Sequence, residues 1–447
     1  MMRTAYYAAI LAAGTASASL ANPIDQSLRP LIRPDRAPEN VALASAEGTT
    51  AMRPIARPLT TRTSTSPLPV AGENARFQNW IGAFKDRAEE QGIDRRVLDR
   101  AFDGVRYDAD VIRRDRNQSE FTKTIWDYLD TAVSDARIAN GRKALDRQRA
   151  TLDKIEATYG VEKEIVTAIW GLESAYGSFR GSNYVIESLA TLAFDTRRAR
   201  FFEEQLIEAL KILQSGDTVP ANMTGSWAGA MGHTQFMPTS YQSYAVDFTG
   251  DGKRDIWSND PSDALASTAA YLKHFGWTTG QPWGVEVTLP QGFDFTLANR
   301  DITRLPSDWA RIGVVDTKGQ PVPDHGPAAV LLPAGGAGAA FLIFDNFEVI
   351  EHYNTADAYV IGVGHLADRI AGGPAIRSDW PREDRALTFA ERKELQERLT
   401  NAGFDTQKID GKIGPLTIAS VRAYQLANGM LPDGYASLRV LKSLRRF

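Results

Sequence analysis

Cysteine is missing from all 447 residues. Its absence excludes disulfides, thiol nucleophiles, zinc ribbons and lipid attachment through an N-terminal cysteine. Histidine is scarce, with five residues and no H-E-x-x-H or comparable cluster. Metal-dependent amidase or peptidase chemistry therefore has no ligand set. Charge of one sign is not in excess either: 51 basic against 55 acidic side chains leave a net charge of −4. That balance suggests neither a nucleic acid nor an acidic membrane surface as partner. No stretch beyond the first residues is long and apolar enough to span a bilayer. What is present, 43% hydrophobic and 24% charged residues, describes an ordinary globular chain with a sizeable core. Its length suits about three domains.

Residues 1–21 read as an export signal, removed after Ala18 or Ala21. Arg3 supplies the positive start, Ala5 to Ala13 the apolar run, and small residues follow. Residues 22–75 repeat Pro, Arg, Ser and Thr, as in R-P-L-I-R-P and T-R-T-S-T-S-P-L-P, and predict a disordered or extended tether. Helical periodicity starts at Phe77. It predicts a helix near Glu120 to Leu129, a long charged one from Ala132 to Tyr159, and others over Ile186–Ala193 and Ala199–Ser215. Between about 283 and 350 the runs V-E-V-T-L-P, A-A-V-L-L-P and A-A-F-L-I-F-D predict a small β insertion. Residues 371–385 read as a linker, and 386–447 as a last compact unit.

The most informative stretch is Val166–Gly177. Val166, Ile169, Trp170 and Glu173 fall at i, i+3, i+4 and i+7, one stripe of a helix. A carboxyl on an apolar stripe is desolvated, which favours its protonated form. Gly177 looks like the glycine after a helix end, placing Glu173 near the negative end of the dipole, which acts the same way. Such an acid can protonate a leaving oxygen, as the acid does in glycoside cleavage. Taken alone, a structural glutamate is the commoner outcome.

Three further patterns stand downstream. D-T-R-R places Arg197 and Arg198 together, either as solvated surface or as a clamp for a carboxylate. Gly225–Tyr241, G-S-W-A-G-A-M-G-H-T-Q-F-M-P-T-S-Y, combines small residues that admit a ligand with the hydrogen-bonding side chains Ser226 and Gln235. By itself it is also an ordinary tight connection between helices. Asp247, Thr249, Asp251, Lys253 and Asp255 occupy positions 1, 3, 5, 7 and 9 of a calcium loop, with Gly252 at 6. Position 12 is Ser258 instead of the bidentate Glu, so Asp260 or Asp263 would have to complete the shell.

Taken together, E-S-A-Y-G at 173–177, G-A-M-G-H-T-Q-F-M-P-T-S-Y at 229–241, Y-A-V-D-F-T-G-D-G-K-R-D-I-W and A-A-Y-L-K-H-F-G-W resemble the membrane-bound lytic transglycosylase B family. These are lysozyme-like enzymes that cut peptidoglycan. The resemblance covers about 76–370, and the tail is similar to a three-helix peptidoglycan-binding domain. It implies a mainly α (α+β) fold with a lysozyme-like catalytic domain and the small β insertion. It implies Glu173 as the single catalytic acid and base, with Ser226 and Gln235 contacting sugar N-acetyl groups. Tyr271, Tyr353, Asn354 and Tyr359 would line the cleft, and Arg197 and Arg198 would meet the peptide stem. A structural Ca2+ on the loop from Asp247 to Asp255 and no catalytic cofactor are expected. So are a periplasmic location, glycan strands as partner, and cell-wall synthesis or remodelling proteins as further partners. The expected reaction cuts the MurNAc–GlcNAc bond to a 1,6-anhydro end; a hydrolytic muramidase and a non-catalytic wall-binding scaffold are the alternatives. Ser174, Tyr176 and His233 depart from residues common in relatives, which bears on substrate preference.

Overall fold

The computed structural model describes residues 71–116 and 123–446. The expected export signal, nearly all of the expected tether and the start of the helix expected near Glu120 lie outside the described residues. The first helix, Ala71–Glu90, begins inside the stretch read as tether, with Glu73 in its first turn complementing the helix dipole. Phe77, Ile81, Phe84 and Ala88, spaced four and three apart, are its buried stripe.

The long helix expected from Ala132 to Tyr159 is two helices, Asp135–Arg147 and Arg149–Tyr159, joined at Gln148. The first packs on the helix bearing Glu173, Lys163–Ser174, and on Asp357–Ile370. The second packs on Ser262–His274. One straight rod cannot reach both neighbours, and nothing in the local sequence marks the break. Helices Val185–Phe194 and Ala199–Ser215 pack on each other across the turn that holds Arg197 and Arg198.

The β insertion is a four-stranded antiparallel sheet. Its spatial order is Val315–Asp316, Gly284–Thr288, Ala340–Ile343 and Ala329–Leu331. Ala340 and Leu342 face one apolar cluster with Val287, Val330 and Trp309, while Phe341 and Ile343 face the main helical core. Both faces of this strand are covered, so its sequence is an unbroken apolar run rather than an alternating one.

The tail is a bundle of Phe389–Asn401, Pro415–Ala427 and Leu438–Leu444 around Leu395, Leu399, Val421 and Tyr424. Thr388 and Glu391 close a capping box at its first helix. The preceding linker is strapped down: the amides of Arg377 and Ser378 donate to Glu286, and Arg382 makes a two-pronged pair with Asp130. The bundle itself rests on the β insertion, where Gly336 N–H donates to Asp433 Oδ2 (3.0 Å) and Arg422 to the carbonyl of Ala298 (3.0 Å). Among the described residues no helix is long and apolar enough to cross a membrane.

Candidate active site

Glu173 lies in the last turn of helix Lys163–Ser174 and is only 6% exposed. Ile165 to Gly171 are all buried, so this helix is covered nearly all round and carries more than the single apolar stripe. The helix stops earlier than Gly177 alone suggests. Ala175, Tyr176 and Gly177 take successive positive φ values of 48°, 59° and 82°. The two non-glycine residues are held there because Tyr176 folds back between neighbouring helices. A Cβ on Gly141 or on Gly171 would come within 2.6 Å of its side chain. Its hydroxyl donates to the Arg137 carbonyl (2.8 Å). Gly177 makes room for a different neighbour, since a Cβ there would lie 2.5 Å from His233 Nδ1.

Trp170 Nε1 donates to His233 Nδ1 (3.1 Å), and an indole can only donate. The imidazole proton therefore sits on Nε2 and is given to the Ser258 carbonyl (2.8 Å). Burial, aided by the nearby Arg180 charge, holds His233 below the usual histidine range and hence neutral. The Ser174 hydroxyl donates to the His233 carbonyl and accepts from Gly177 N–H. Ser174, Tyr176 and His233 are thus packed together behind Glu173.

Tyr359 Oη donates to Glu173 Oε1 at 2.7 Å. Tyr353 Oη donates to the Thr234 carbonyl (2.7 Å), Tyr271 Oη to the His352 carbonyl (2.6 Å), and Asn354 Oδ1 accepts from Ala356 N–H (3.1 Å). Tyr353 thereby ties the corner around residue 354 to the 229–241 segment, and Tyr271 ties it to helix Ser262–His274. Two residues that sequence reasoning did not single out lie at the Glu173 end of the helix. Burial and then the Glu173 carboxylate push the Tyr128 phenol up. Arg137 donates to the Gly171 carbonyl, so a cation offsets the negative helix end that the sequence reading counted on. Both sit on ordinary amphipathic helices, and nothing local in the sequence marks them.

Gln235 adopts φ 56° and gives its amide hydrogens to the carbonyls of Arg180 (3.0 Å) and Gly232 (2.8 Å). Its remaining capacity is to accept. Ser226 Oγ accepts from Ala228 and Ala230 N–H, so its hydroxyl hydrogen is what it has to offer. An acceptor and a donor from one loop match the N–H and C=O of an acetamido group.

The paired arginines clamp a carboxylate of the protein itself. Arg197 and Arg198 both bond Asp115, which is 1% exposed, and Arg198 also lies over the Phe202 ring. Asp115 is more than eighty positions away in the chain, so the sequence offered no partner.

In the loop from Asp247, the acidic atoms that converge belong to Asp247, Asp251 and Asp263, all within 4.8 Å of one another. Asp263 is the completing carboxylate of the two considered; Asp260 instead caps the next helix through Ser262. Asp255 is not in the group; its Oδ1 accepts from Trp257 and Ser258 N–H. Thr249 donates its hydroxyl to Asp247, and Lys253 gives its amide to Asp251. Burial, with the Asp247 charge adding to it, pushes Asp263 up. Three convergent carboxylates, one of them desolvated, fit a hard divalent cation.

This fold and site define an enzyme of the lytic transglycosylase family, and the chain belongs to it. The family described as "Transglycosylase SLT domain" matches residues 76–368, and "Putative peptidoglycan binding domain" matches 390–444. The chain is 32% identical over 318 residues to membrane-bound lytic murein transglycosylase B of Escherichia coli K12, spanning 68% of this chain and 85% of that protein. SltB3 of Pseudomonas aeruginosa, solved with NAG-anhNAM-pentapeptide, matches at 48% identity with a TM-score of 0.81, over 83% of this chain and 99% of that one. The Escherichia coli transglycosylase Slt35, solved with calcium, matches at 30% identity with a TM-score of 0.56, over 67% and 93%.

Proposed function

We propose that this lytic murein transglycosylase cuts the β-1,4 bond from N-acetylmuramic acid to N-acetylglucosamine without water, through Glu173. One observation carries the mechanism. Four acidic side chains are buried among the described residues: Asp115, Glu173, Asp217 and Asp263. Asp115 is held by Arg197 and Arg198, Asp217 by Arg254, and Asp263 by the amides of Phe248, Thr249 and Asp255. A two-carboxylate glycosidase needs a second acid across the bond. With one acid, the substrate's own acetamido oxygen takes the nucleophile's place.

Protonated Glu173 gives its proton to the glycosidic oxygen as the C1–O bond breaks. The acetamido oxygen, oriented by Ser226 and Gln235, closes on C1. Glu173, now a carboxylate steadied by the Tyr359 hydroxyl, accepts the proton of the sugar's C6 hydroxyl. That oxygen attacks C1, releases the acetamido oxygen and closes the 1,6-anhydro ring. Holding the reacting groups in line lowers the barrier by several kcal/mol, to order of magnitude. Mass spectrometry of fragments from purified sacculi tests this. Anhydro ends are expected, about one water or roughly 18 mass units lighter than reducing ends. Predominantly reducing ends would make the enzyme a muramidase; no release of fragments would make it a scaffold.

Asp247, Asp251 and Asp263 would hold a structural Ca2+, bracing the 247–263 segment without touching the reaction. Calcium is expected to raise the melting temperature, by about 2–3 kcal/mol of stabilisation at a hundredfold excess over Kd. Asp251→Ala should remove the response. Identical melts in calcium and in chelator, on metal-stripped protein, would reject the ion. A peptidoglycan substrate and the signal-like first 21 residues together support work in the periplasm.

A further inference from the structure

Beyond the Glu173 cleft, the molecule has a groove of roughly 560 Å³ between the 216–224 loop and the 253–259 loop. That volume is in the range of small-ligand sites. We infer that it is a remote subsite for an N-acetylhexosamine of the same glycan strand, reached across Phe179. The inference rests on the transglycosylase reading and extends it along the polymer.

Three observations carry it. First, the groove is joined to the site by both of its walls. Thr224, on its floor, is paired in the short sheet with Tyr184 and stands two residues before Ser226. On the other wall Arg180 donates to the carbonyls of Trp257 and Ser258 and to Asn259 Oδ1, while its own carbonyl takes an amide hydrogen of Gln235. Second, the lining offers amide and hydroxyl partners to an amide-bearing sugar. Its carboxylates are already satisfied, Asp217 by Arg254 and Asp255 by the amides of Trp257 and Ser258. What remains is the Lys253 ammonium, the amides of Asn222 and Asn259, hydroxyls, and the Trp257 indole, whose N–H is buried without a hydrogen-bond partner. Third, Phe179 is 70% exposed, and its amide is fixed to the Ser174 carbonyl (2.9 Å). An exposed aromatic ring next in the chain to Arg180, whose side chain holds the 257–259 wall, offers a stacking face to a sugar entering the groove.

The test uses Glu173→Gln protein, so that binding is read without turnover. The probes are glycan strands of about ten sugars, peptide-free and stem-bearing, and a peptide-free tetrasaccharide. Phe179→Ala and Asn222→Ala, both at exposed positions, should each weaken the long probe about tenfold, the scale of truncating an anchor residue. The tetrasaccharide should bind unchanged. Equal binding of the long probe by parent and variants would overturn the inference, as would a loss seen only with stem-bearing strands, which would make the groove a peptide site. Products of the unsubstituted enzyme report separately on the anhydro reaction, so the two ideas fail independently.

Discussion

Glu173→Gln is expected to lose at least about 100-fold in turnover, the usual scale for removing a general acid. The amide keeps the size of the side chain, and its oxygen can still accept the Tyr359 hydroxyl that reaches Glu173 at 2.7 Å. What disappears is the proton. Its two duties, giving to the leaving oxygen and taking from the C6 hydroxyl, fall on one residue, and the other buried acids are engaged elsewhere. Clearing of sacculi by the variant and its melting curve should be measured together. The fold and sacculus binding should be retained while clearing stops. A variant that clears sacculi near the normal rate would remove Glu173 from the mechanism.

Arg198→Ala is expected to cost about 3 kcal/mol of stability, the lower end for stripping one partner from a buried ion pair. It leaves the Asp115 carboxylate, 1% exposed, to Arg197 alone, whose side chain is half in solvent. In a domain of this size that corresponds to a fall in Tm of about 6–12 °C. Arg197→Ala should fall by less. The measurement separates two roles for the pair. A large Tm loss with the same KM ratio for stem-bearing and stem-free glycans means that Asp115 is their carboxylate. An unchanged Tm with a KM rise confined to stem-bearing glycans would return them to the peptide stem.

The sequence by itself determined the parts whose evidence is local. Helical and extended segments follow from hydrophobic period, so the helix Ala199–Ser215 and the three main strands of the insertion were legible. Glu173 could be singled out because its neighbours at i−3, i−4 and i−7 are apolar, and the family motifs around it run in order. The carboxylate cluster was legible for Asp247 and Asp251, whose spacing is fixed by the backbone. Tertiary structure decided everything that needs a partner far along the chain. Asp115 gives the Arg197–Arg198 pair a carboxylate within the protein, and Asp263, not Asp260, converges with Asp247 and Asp251. Tyr176 ended the helix before Gly177 because Gly141 and Gly171 leave room for its ring. Gln148 breaks a continuous charged pattern because two different helices must be met on its two sides. The linker, which composition read as a spacer, is held by Glu286 and Asp130. Periodicity reports which face of a segment avoids water; it does not report which distant group will meet that face, since that depends on how the chain closes on itself.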